Sequence, residues 1–205
     1  MQTKIIPIDH PDAISQAIQV LSDGELLAFP TDTVYGLGAV IHNPDSIEGL
    51  YLTKERDRAK AIPVLLGKHS DLDSVAIKTS PEARRLAERF WPGPLTLVVP
   101  RHPSLPEVLS PYKTIGVRMP NHPSTLELLQ RTGPLAVTSA NLSGFPSTVT
   151  AQEVFEQLQG RIPLIIDGGR TPGGSPSTVV DCTSPQLVIL RAGPLTEEDL
   201  LTVLE

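Results

Sequence analysis

Apolar residues along the chain follow two alternating patterns, and each pattern predicts its own kind of element. Short apolar runs bounded by Gly, Pro or Ser predict buried strands at 4–8, 25–29, 62–66, 95–99, 114–119, 134–139, 163–167, 178–182 and 186–191. Segments with apolar residues at every third or fourth position predict helices near 11–23, 44–54, 81–90, 123–133, 150–159 and after Thr196. This alternation predicts an α/β fold, in which helices pack on one large twisted sheet.

The connections between these elements refine the picture of the sheet. The turn between the last two predicted strands, 178–182 and 186–191, is too short for a crossover, so the sheet should be mixed and not purely parallel. Gly24 should end the first helix, and Thr150 with Glu153 has the spacing of a capping box.

Composition indicates an ordinary globular chain in a reducing compartment. The 205 residues show no internal repeat and no long linker, which predicts a single domain over 1–205. Cys182 is the only cysteine, so neither an intrachain disulfide nor a cysteine-based zinc site can form. No signal peptide and no membrane-spanning stretch is visible, which predicts a cytoplasmic protein without a membrane partner. The net charge of −6 means that any anion site must be local.

Three predicted strands run into loops of small and hydroxyl residues. These loops are "PTDT" (30–33), "TSAN" (138–141) and "GGRTPGGSPS" (168–177). In sheets covered by helices, ligands bind where strands end and their loops separate. Small residues also allow backbone N–H groups to approach a ligand closely. Any one of these loops could be an ordinary turn, but the three together predict a binding site.

A basic segment lies between the second predicted helix and the third strand. Its four cations are Lys54, Arg56, Arg58 and Lys60, at a spacing of two. An extended backbone would place them all on one side, where they would suit a polyphosphate. The alternative is a solvated basic turn whose charge Glu55 and Asp57 balance.

Two arginines occur at the ends of apolar strands, Arg118 in "GVRMP" and Arg191 in "VILRAGP". A buried arginine is costly unless it is paired, and a carboxylate or phosphate of a ligand would satisfy it. An internal Asp or Glu is the alternative partner for either residue.

No P-loop, G-x-G-x-x-G, H-E-x-x-H or G-x-S-x-G motif is present. The absence of an evident nucleophile favours a reaction that depends on positioning and charge stabilisation, as nucleotidyl transfer does.

Several of these stretches, in this order, resemble the YrdC-like family of threonylcarbamoyl-adenylate synthases. They are "FPTDTVYGLGA", "KER" before "IPVLL", "WPGPLTLV", "VRMPNHP", "TSANLSG", "IIDGG", "PSTVVD" and "ILRAGP", and they extend from about Ile5 to Leu200. The resemblance implies a twisted mixed sheet with helices around a central, positively charged cavity. It also implies synthesis of L-threonylcarbamoyl-adenylate from L-threonine, bicarbonate and ATP, with release of pyrophosphate. Proteins of a tRNA-threonylcarbamoyl transfer complex would then modify adenosine 37 of tRNA.

The resemblance also implies roles for individual residues. The threonine substrate would be bound by Thr31, Arg118 and Ser177. ATP would be bound by Lys54, Arg56, Arg58, Ser139, Asn141, Ser147 and Arg191. Lys54, Arg56 and Arg118 would be the catalytic residues, and Mg²⁺ would accompany ATP without dedicated protein ligands.

The chain departs from the family pattern in places, and two other functions remain open. The family often has proline after the K-x-R arginine, where this chain has Asp57, so the alignment of Arg58 and Lys60 is open. By this resemblance, residues 1–205 would be the single-domain form, without the extra C-terminal domain of some relatives. A paralogue that binds tRNA or double-stranded RNA without catalysis is one alternative, although few aromatics are present for base stacking. Carbamoyl-adenylate chemistry is the other, as in hydrogenase-maturation proteins, whose acylphosphatase-like and zinc-binding segments this sequence does not contain.

Overall fold

The computed structural model describes residues 1–184 and 186–204, and every strand in them belongs to one sheet. The strands are β1 (Lys4–Pro7), β2 (Leu27–Phe29), β3 (Gly36–Val40), β4 (Val64–Leu65), β5 (Leu95–Pro100), β6 (Thr114–Arg118), β7 (Leu135–Ser139), β8 (Leu164–Asp167), β9 (Thr178–Asp181) and β10 (Val188–Arg191). Their order is β1-β8-β2-β3-β7-β4-β6-β5-β9-β10. Parallel and antiparallel pairs both occur, and β9 pairs antiparallel with β10. The predicted mixed sheet is confirmed.

Helices cover both faces of this sheet. They are α1 (Ala13–Ser22), α2 (Pro44–Lys54), α3 (Leu72–Val75), α4 (Pro81–Phe90), α5 (Pro123–Thr132), α6 (Ala151–Leu158) and α7 (Glu197–Leu201), with short 3-10 turns at His69–Asp71 and Glu107–Leu109. None of the helices in the described part of the chain is long and apolar enough to cross a membrane.

Two apolar cores result because side chains alternate between the faces of each strand. On one face, α1 and α5 pack against residues such as Leu27, Phe29 and Leu135. On the other face, α2, α3, α4 and α6 pack against residues such as Ala28 and Val64. Helices α1 and α5 cover only part of their face, and the remainder, over β4, β6, β5 and β9, is the floor of a cavity.

Strand β3 was not predicted from the sequence, and its glycines explain why. A Cβ on Gly38 would lie 2.8 Å from Cε1 of Phe29, and one on Gly36 would lie 2.9 Å from Cγ1 of Val137. The strand therefore has small residues where its neighbours are large, and it lacks the apolar run that identified the other strands. Helix α3 and the 3-10 turns are too short for a periodic pattern to indicate them.

The helix ends mostly follow the predicted signals. Gly24 lies beyond α1 with φ +80, as expected for a helix-ending glycine. The Thr150 hydroxyl accepts a hydrogen bond from the Glu153 N–H at 3.2 Å. The Glu153 carboxylate, however, accepts from the N–H of Val149 at 2.7 Å. The reciprocal bond thus reaches one residue further back than a capping box requires.

Candidate active site

A cavity of about 360 Å³ opens on the sheet face that α1 and α5 leave uncovered. Its lining residues come from every strand between β3 and β10 in the sheet order, and from the loops that follow β2, α2, β7 and β8. They are Thr31, Thr33, Val34, Tyr35, Gly36, Arg56, Ala61, Pro63, Leu65, Thr96, Val98, Gly116, Arg118, Val137, Thr138, Ser139, Ser147, Pro176, Ser177, Val179 and Arg191. A smaller depression of about 210 Å³ lies elsewhere, between His69 and Glu88.

Arg118, at the end of β6, is held by three residues from two parts of the chain. Its Nε donates to the carbonyl oxygen of Gly93 at 3.0 Å, and its Nη1 donates to the Thr33 hydroxyl at 2.9 Å. Its Nη2 pairs with the Asp32 carboxylate. Burial lowers the pKa of Arg118, the Asp32 carboxylate opposes that shift, and the charge of Arg191 adds to it. The internal acid that the sequence left open as an alternative partner is therefore Asp32.

The Thr31–Thr33 turn uses its hydroxyls to fix its own geometry. The Thr31 hydroxyl donates to the carbonyl oxygen of Val34 at 2.7 Å and accepts from the Thr33 N–H at 3.1 Å. The two threonine hydroxyls are 3.0 Å apart. Because the Thr31 hydrogen is committed to Val34, Thr33 must be the donor between them. The predicted contact of Thr31 with the threonine substrate stays a prediction, and the structure shows the residue shaping the turn that holds Arg118.

Arg191 reaches from the edge strand β10 across β9. Its Nε and Nη2 donate to the carbonyl oxygen of Ser177 at 3.0 and 2.7 Å, and Nη2 also donates to the Ser177 hydroxyl at 3.1 Å. The Ser177 hydroxyl lies 2.7 Å from that of Thr96 on β5. No carboxylate in residues 1–184 or 186–204 forms an ion pair with Arg191. Its charge is thus available to an anion in the cavity.

Lys54 lies next to the cavity but does not contribute to its lining. It is the last residue of α2 and is 1% exposed. Its ammonium donates to the carbonyl oxygen of Ser139 at 2.5 Å and to that of Asn141. Burial, followed by the charge of Arg56, lowers the pKa of Lys54 to about 7. The ammonium therefore holds the end of β7 from behind the cavity wall, and its binding of phosphate stays a prediction.

The predicted extended geometry of the basic segment is wrong. Helix α2 continues to Lys54, and Glu55 then adopts a left-handed conformation with φ 53, so the cations diverge. Arg56 turns into the cavity, where its Nη2 donates to the carbonyl oxygen of Ala61 at 2.9 Å. Arg58 turns outward, with a side chain that is 64% exposed, and pairs with Glu48. The alternative of a partly balanced basic turn thus applies to Arg58, although its partner is Glu48 and not Glu55 or Asp57.

The end of β7 and the loop after it contribute two of the three residues that the resemblance assigned to ATP there. Ser139 and Ser147 line the cavity. Asn141 is 6% exposed and lies outside the lining; its Nδ2 donates to the carbonyl oxygens of Leu142 and Phe145, each at 2.8 Å. Asn141 therefore shapes the loop between Ser139 and Ser147, and its contact with ATP stays a prediction.

The glycine-rich loop after β8 closes over the Thr31–Thr33 turn. The Tyr35 hydroxyl donates to the carbonyl oxygen of Gly169 at 2.7 Å, and burial raises the pKa of Tyr35 to about 12. A Cβ on Gly173 would lie 2.7 Å from the carbonyl oxygen of Asp32, so only glycine permits this approach. The loop then leads to Ser177 at the cavity wall.

The chemistry of the lining favours anions. Among the described residues it contains the guanidinium groups of Arg56, Arg118 and Arg191, several hydroxyls and no carboxylate. The described residues also contain no group of three or more His, Cys, Asp or Glu side chains that could hold a metal ion. The lining is therefore suited to ligands with several negative charges.

Sequence reasoning did not identify Thr96, Thr33 or Asp32 as site residues. Asp32 and Thr33 were within a quoted motif, and their proximity to Arg118 across 85 or more positions had no signal in a single sequence. Thr96 did leave a signal, since it is a lone hydroxyl residue inside the apolar run "LTLVV". A polar side chain in a buried strand needs a partner, and here the partner is Ser177.

The chain is similar to several known proteins. A Bacillus subtilis protein named threonylcarbamoyl-AMP synthase is 41% identical over an alignment that covers 100% of this chain and 62% of that protein. A structure of Pyrococcus abyssi Sua5 complexed with L-threonine has a TM-score of 0.94 at 39% identity, covering 98% of this chain and 61% of that one. E. coli YciO has a TM-score of 0.87 at 27% identity, covering 97% of this chain and 99% of that one.

The relatives differ in how much of their own length this chain covers. The chain spans less than two thirds of the Bacillus and Pyrococcus proteins but nearly all of YciO. The Sua5, YciO and YrdC family model, which carries the description "Telomere recombination", matches residues 19–193. A match over that much of the sequence, together with the shared fold, shows that the chain belongs to the Sua5/YciO/YrdC family.

Proposed function

We propose that this protein synthesises L-threonylcarbamoyl-adenylate from L-threonine, bicarbonate and ATP and releases pyrophosphate. The observation that carries the proposal is the convergence of Arg56, Arg118 and Arg191, from distant parts of the chain, on one cavity without lining carboxylates. The carbamate of threonine and ATP are both anionic and must react with each other, so they need such a shared, positively charged space. The name of the Bacillus subtilis relative and the L-threonine in the Pyrococcus abyssi structure support the same substrates.

Arg118 would bind the carboxylate of L-threonine. A guanidinium has five N–H donors, and Gly93, Thr33 and Asp32 each accept one from Arg118. The remaining donors can bind a carboxylate, while the three internal contacts fix the direction of the guanidinium. Ser177 would contribute at the same end of the cavity, as the resemblance implies.

ATP would occupy the part of the cavity near Arg56, Ser139, Ser147 and Arg191. The amine of threonine combines with carbon dioxide derived from bicarbonate and loses a proton, which gives a carbamate. A carbamate oxygen then forms a bond to the α-phosphorus of ATP, and the bond from that phosphorus to the pyrophosphate oxygen breaks. Guanidinium groups at fixed positions stabilise the negative charge of the transferring phosphate and of the departing pyrophosphate. Lys54 would support this end indirectly, through the carbonyl oxygens of Ser139 and Asn141.

Mg²⁺ would accompany ATP through the phosphate oxygens and water, which is its usual mode in nucleotide sites. The product would pass to tRNA-modifying proteins of a threonylcarbamoyl transfer complex, which complete the modification of adenosine 37.

Release of pyrophosphate from ATP tests the proposal directly. The purified protein is assayed with both L-threonine and bicarbonate, with each one omitted, and with D-threonine in place of L-threonine. Dependence of the release on both co-substrates supports the synthase. Release without either of them would contradict it. Tight binding of tRNA or double-stranded RNA without any turnover would instead favour the non-enzymatic alternative.

A further inference from the structure

Thr96 occupies a central position in the cavity that no role yet explains. Leu97 lies opposite Val117 and Val98 opposite Gly116, so the register of β5 and β6 places Thr96 across from Arg118. On its other side, Thr96 pairs with Val179 of β9, and Ser177 lies two residues before Val179 on the same face. Thr96 therefore bridges the Arg118 and Arg191 ends of the site.

The hydroxyls of Thr96 and Ser177 share one hydrogen bond at 2.7 Å, although each carries its own hydrogen. Arg191 donates to the Ser177 oxygen and supplies no acceptor. Within the described residues, neither hydroxyl has a further acceptor. One hydroxyl hydrogen is consequently left over, whichever of the two residues donates to the other.

The leftover hydroxyl hydrogen of Thr96 or Ser177 lies in a buried and positively charged part of the cavity. Thr96 is 5% exposed and Ser177 is 4% exposed, and both line the cavity. The charge of Arg191 is close enough to lower the pKa of Arg118. An oxyanion between the two arginines would accept a hydrogen bond from this donor.

We propose that Thr96 is a positioning residue that, with Ser177, directs one O–H donor at an oxyanion of the amino-acid substrate. This inference rests on the proposed function. It assigns the α-carboxylate as the acceptor because Thr96 lies across from Arg118, the residue proposed to bind that carboxylate. A phosphate oxygen of ATP would offer the same chemistry, and the experiment below separates the two sources.

The test compares Thr96→Val, which keeps the shape but removes the hydroxyl, with Thr96→Ser, which keeps the hydroxyl. Thr96→Val should raise the KM for L-threonine about tenfold, the usual loss for a hydrogen bond to a charged group. The KM for ATP should stay within about twofold, and Thr96→Ser should restore most of the affinity. The double variant Thr96→Val with Ser177→Ala should bind L-threonine no more weakly than Ser177→Ala alone, because the two hydroxyls act as a unit.

Thr132→Val is the matched control. The Thr132 hydroxyl donates to the carbonyl oxygen of Leu128 at 2.9 Å on α5, outside the cavity, and its loss should not change either KM. An unchanged KM for L-threonine in Thr96→Val would overturn the inference, and so would an equal loss in Thr96→Ser. A rise in the KM for ATP alone would overturn the choice of the carboxylate.

Calorimetric titration of L-threonine without ATP separates failure of this inference from failure of the proposed function. If the protein shows no pyrophosphate release but binds L-threonine, weaker binding by Thr96→Val still supports the inference. If the protein does not bind L-threonine, the inference is overturned. Should Thr96→Val fail to fold, Ser177→Ala decides in the same titration, since an unchanged affinity there is incompatible with a donor shared by the two hydroxyls.

Discussion

The guanidinium of Arg118 forms an ion pair with the carboxylate of Asp32, and both side chains are almost completely buried. The two residues are 86 positions apart in the sequence. Their charges largely cancel, so the excess positive charge of the cavity comes from Arg56 and Arg191. Arg118 can then recognise a carboxylate through the geometry of its remaining N–H groups more than through its net charge.

Replacement of Arg118 by Ala should damage both activity and stability. The threonine-dependent kcat/KM should fall at least tenfold, or about 1.4 kcal/mol. The buried Asp32 would lose its partner, which typically costs about 3–5 kcal/mol of the free energy of unfolding. Steady-state kinetics and urea unfolding measure the two effects separately.

Arg84→Ala serves as the control for Arg118→Ala. Arg84 pairs with Asp73 at the surface, where both side chains are exposed, so its loss should cost less than about 1 kcal/mol and leave the kinetics unchanged. An Arg118→Ala variant that keeps the wild-type kcat/KM for L-threonine would refute the carboxylate assignment.

Arg56 and Arg58 should differ in their effect on ATP, because only Arg56 turns into the cavity. Arg56→Ala should raise the KM for ATP about tenfold, as expected when a hydrogen bond to a charged group is lost. Arg58→Ala should change it by less than about twofold, since an exposed ion pair with Glu48 contributes little. Kinetics at varied ATP concentration check both variants, and equal effects would mean that Arg58 moves inward when ATP binds.

The sheet and most helices could be predicted because their signals are local. The apolar runs and the caps at Thr150 and Thr196 lie within a few residues of the elements that they define. Strand β3 was not predicted because it has glycines where the other strands have apolar side chains. Phe29 and Val137 from neighbouring strands fill the space above these glycines. Packing against another strand cannot be read from the periodicity of one segment.

The loops and strand ends that form the candidate site could be predicted, but the directions of their side chains could not. Strand-end arginines and hydroxyl loops indicated an anion site, and the structure brings Arg118, Arg191 and Ser177 together. The directions of Lys54 and Arg58 could not be foreseen, because they depend on one backbone feature, the left-handed Glu55 that ends α2. Resemblance assigns a residue to a function, whereas the local backbone decides whether its side chain faces the cavity.

Lys54 should make the free energy of unfolding depend on pH above neutrality. Burial lowers its pKa from 10.5 to about 7 in the folded protein. Between these two values the unfolded chain binds more protons, so the stability contributed by this group rises with pH, by at most about 1.4 kcal/mol per pH unit. Below pH 7 both states are protonated and the contribution is constant.

Urea unfolding of the wild type and Lys54→Met between pH 6 and 10 measures this contribution. The stability of the wild type relative to the variant should increase from about pH 7 upward and stay level below it. Thr132→Val, which removes no titratable group, should differ from the wild type by the same amount at every pH. A level difference for Lys54→Met over the whole range would show that the pKa of Lys54 is not lowered.

Gly193 should be essential for the wall of the cavity that Ser177 forms. It follows Arg191 after β10, and a Cβ there would lie 2.3 Å from the backbone nitrogen of Thr178, 2.6 Å from the carbonyl carbon of Ser177 and 2.8 Å from the carbonyl oxygen of Pro176. These neighbours are backbone atoms and cannot rotate away, so Gly193→Ala must separate the two segments. The expected cost is about 1–3 kcal/mol, as for other overpacked sites.

The same separation should lengthen the contacts of Arg191 with Ser177. The KM for L-threonine should therefore rise, in addition to the loss of stability. Gly49→Ala is the matched control, because a Cβ in the middle of α2 would meet the Leu26 side chain at an ordinary 3.7 Å. Alanine is the better helix former there, and the control should gain about 0.5–1 kcal/mol. Thermal unfolding and threonine kinetics of both variants decide the matter. A Gly193→Ala variant as stable and as active as the wild type would mean that the two segments are not in contact in solution.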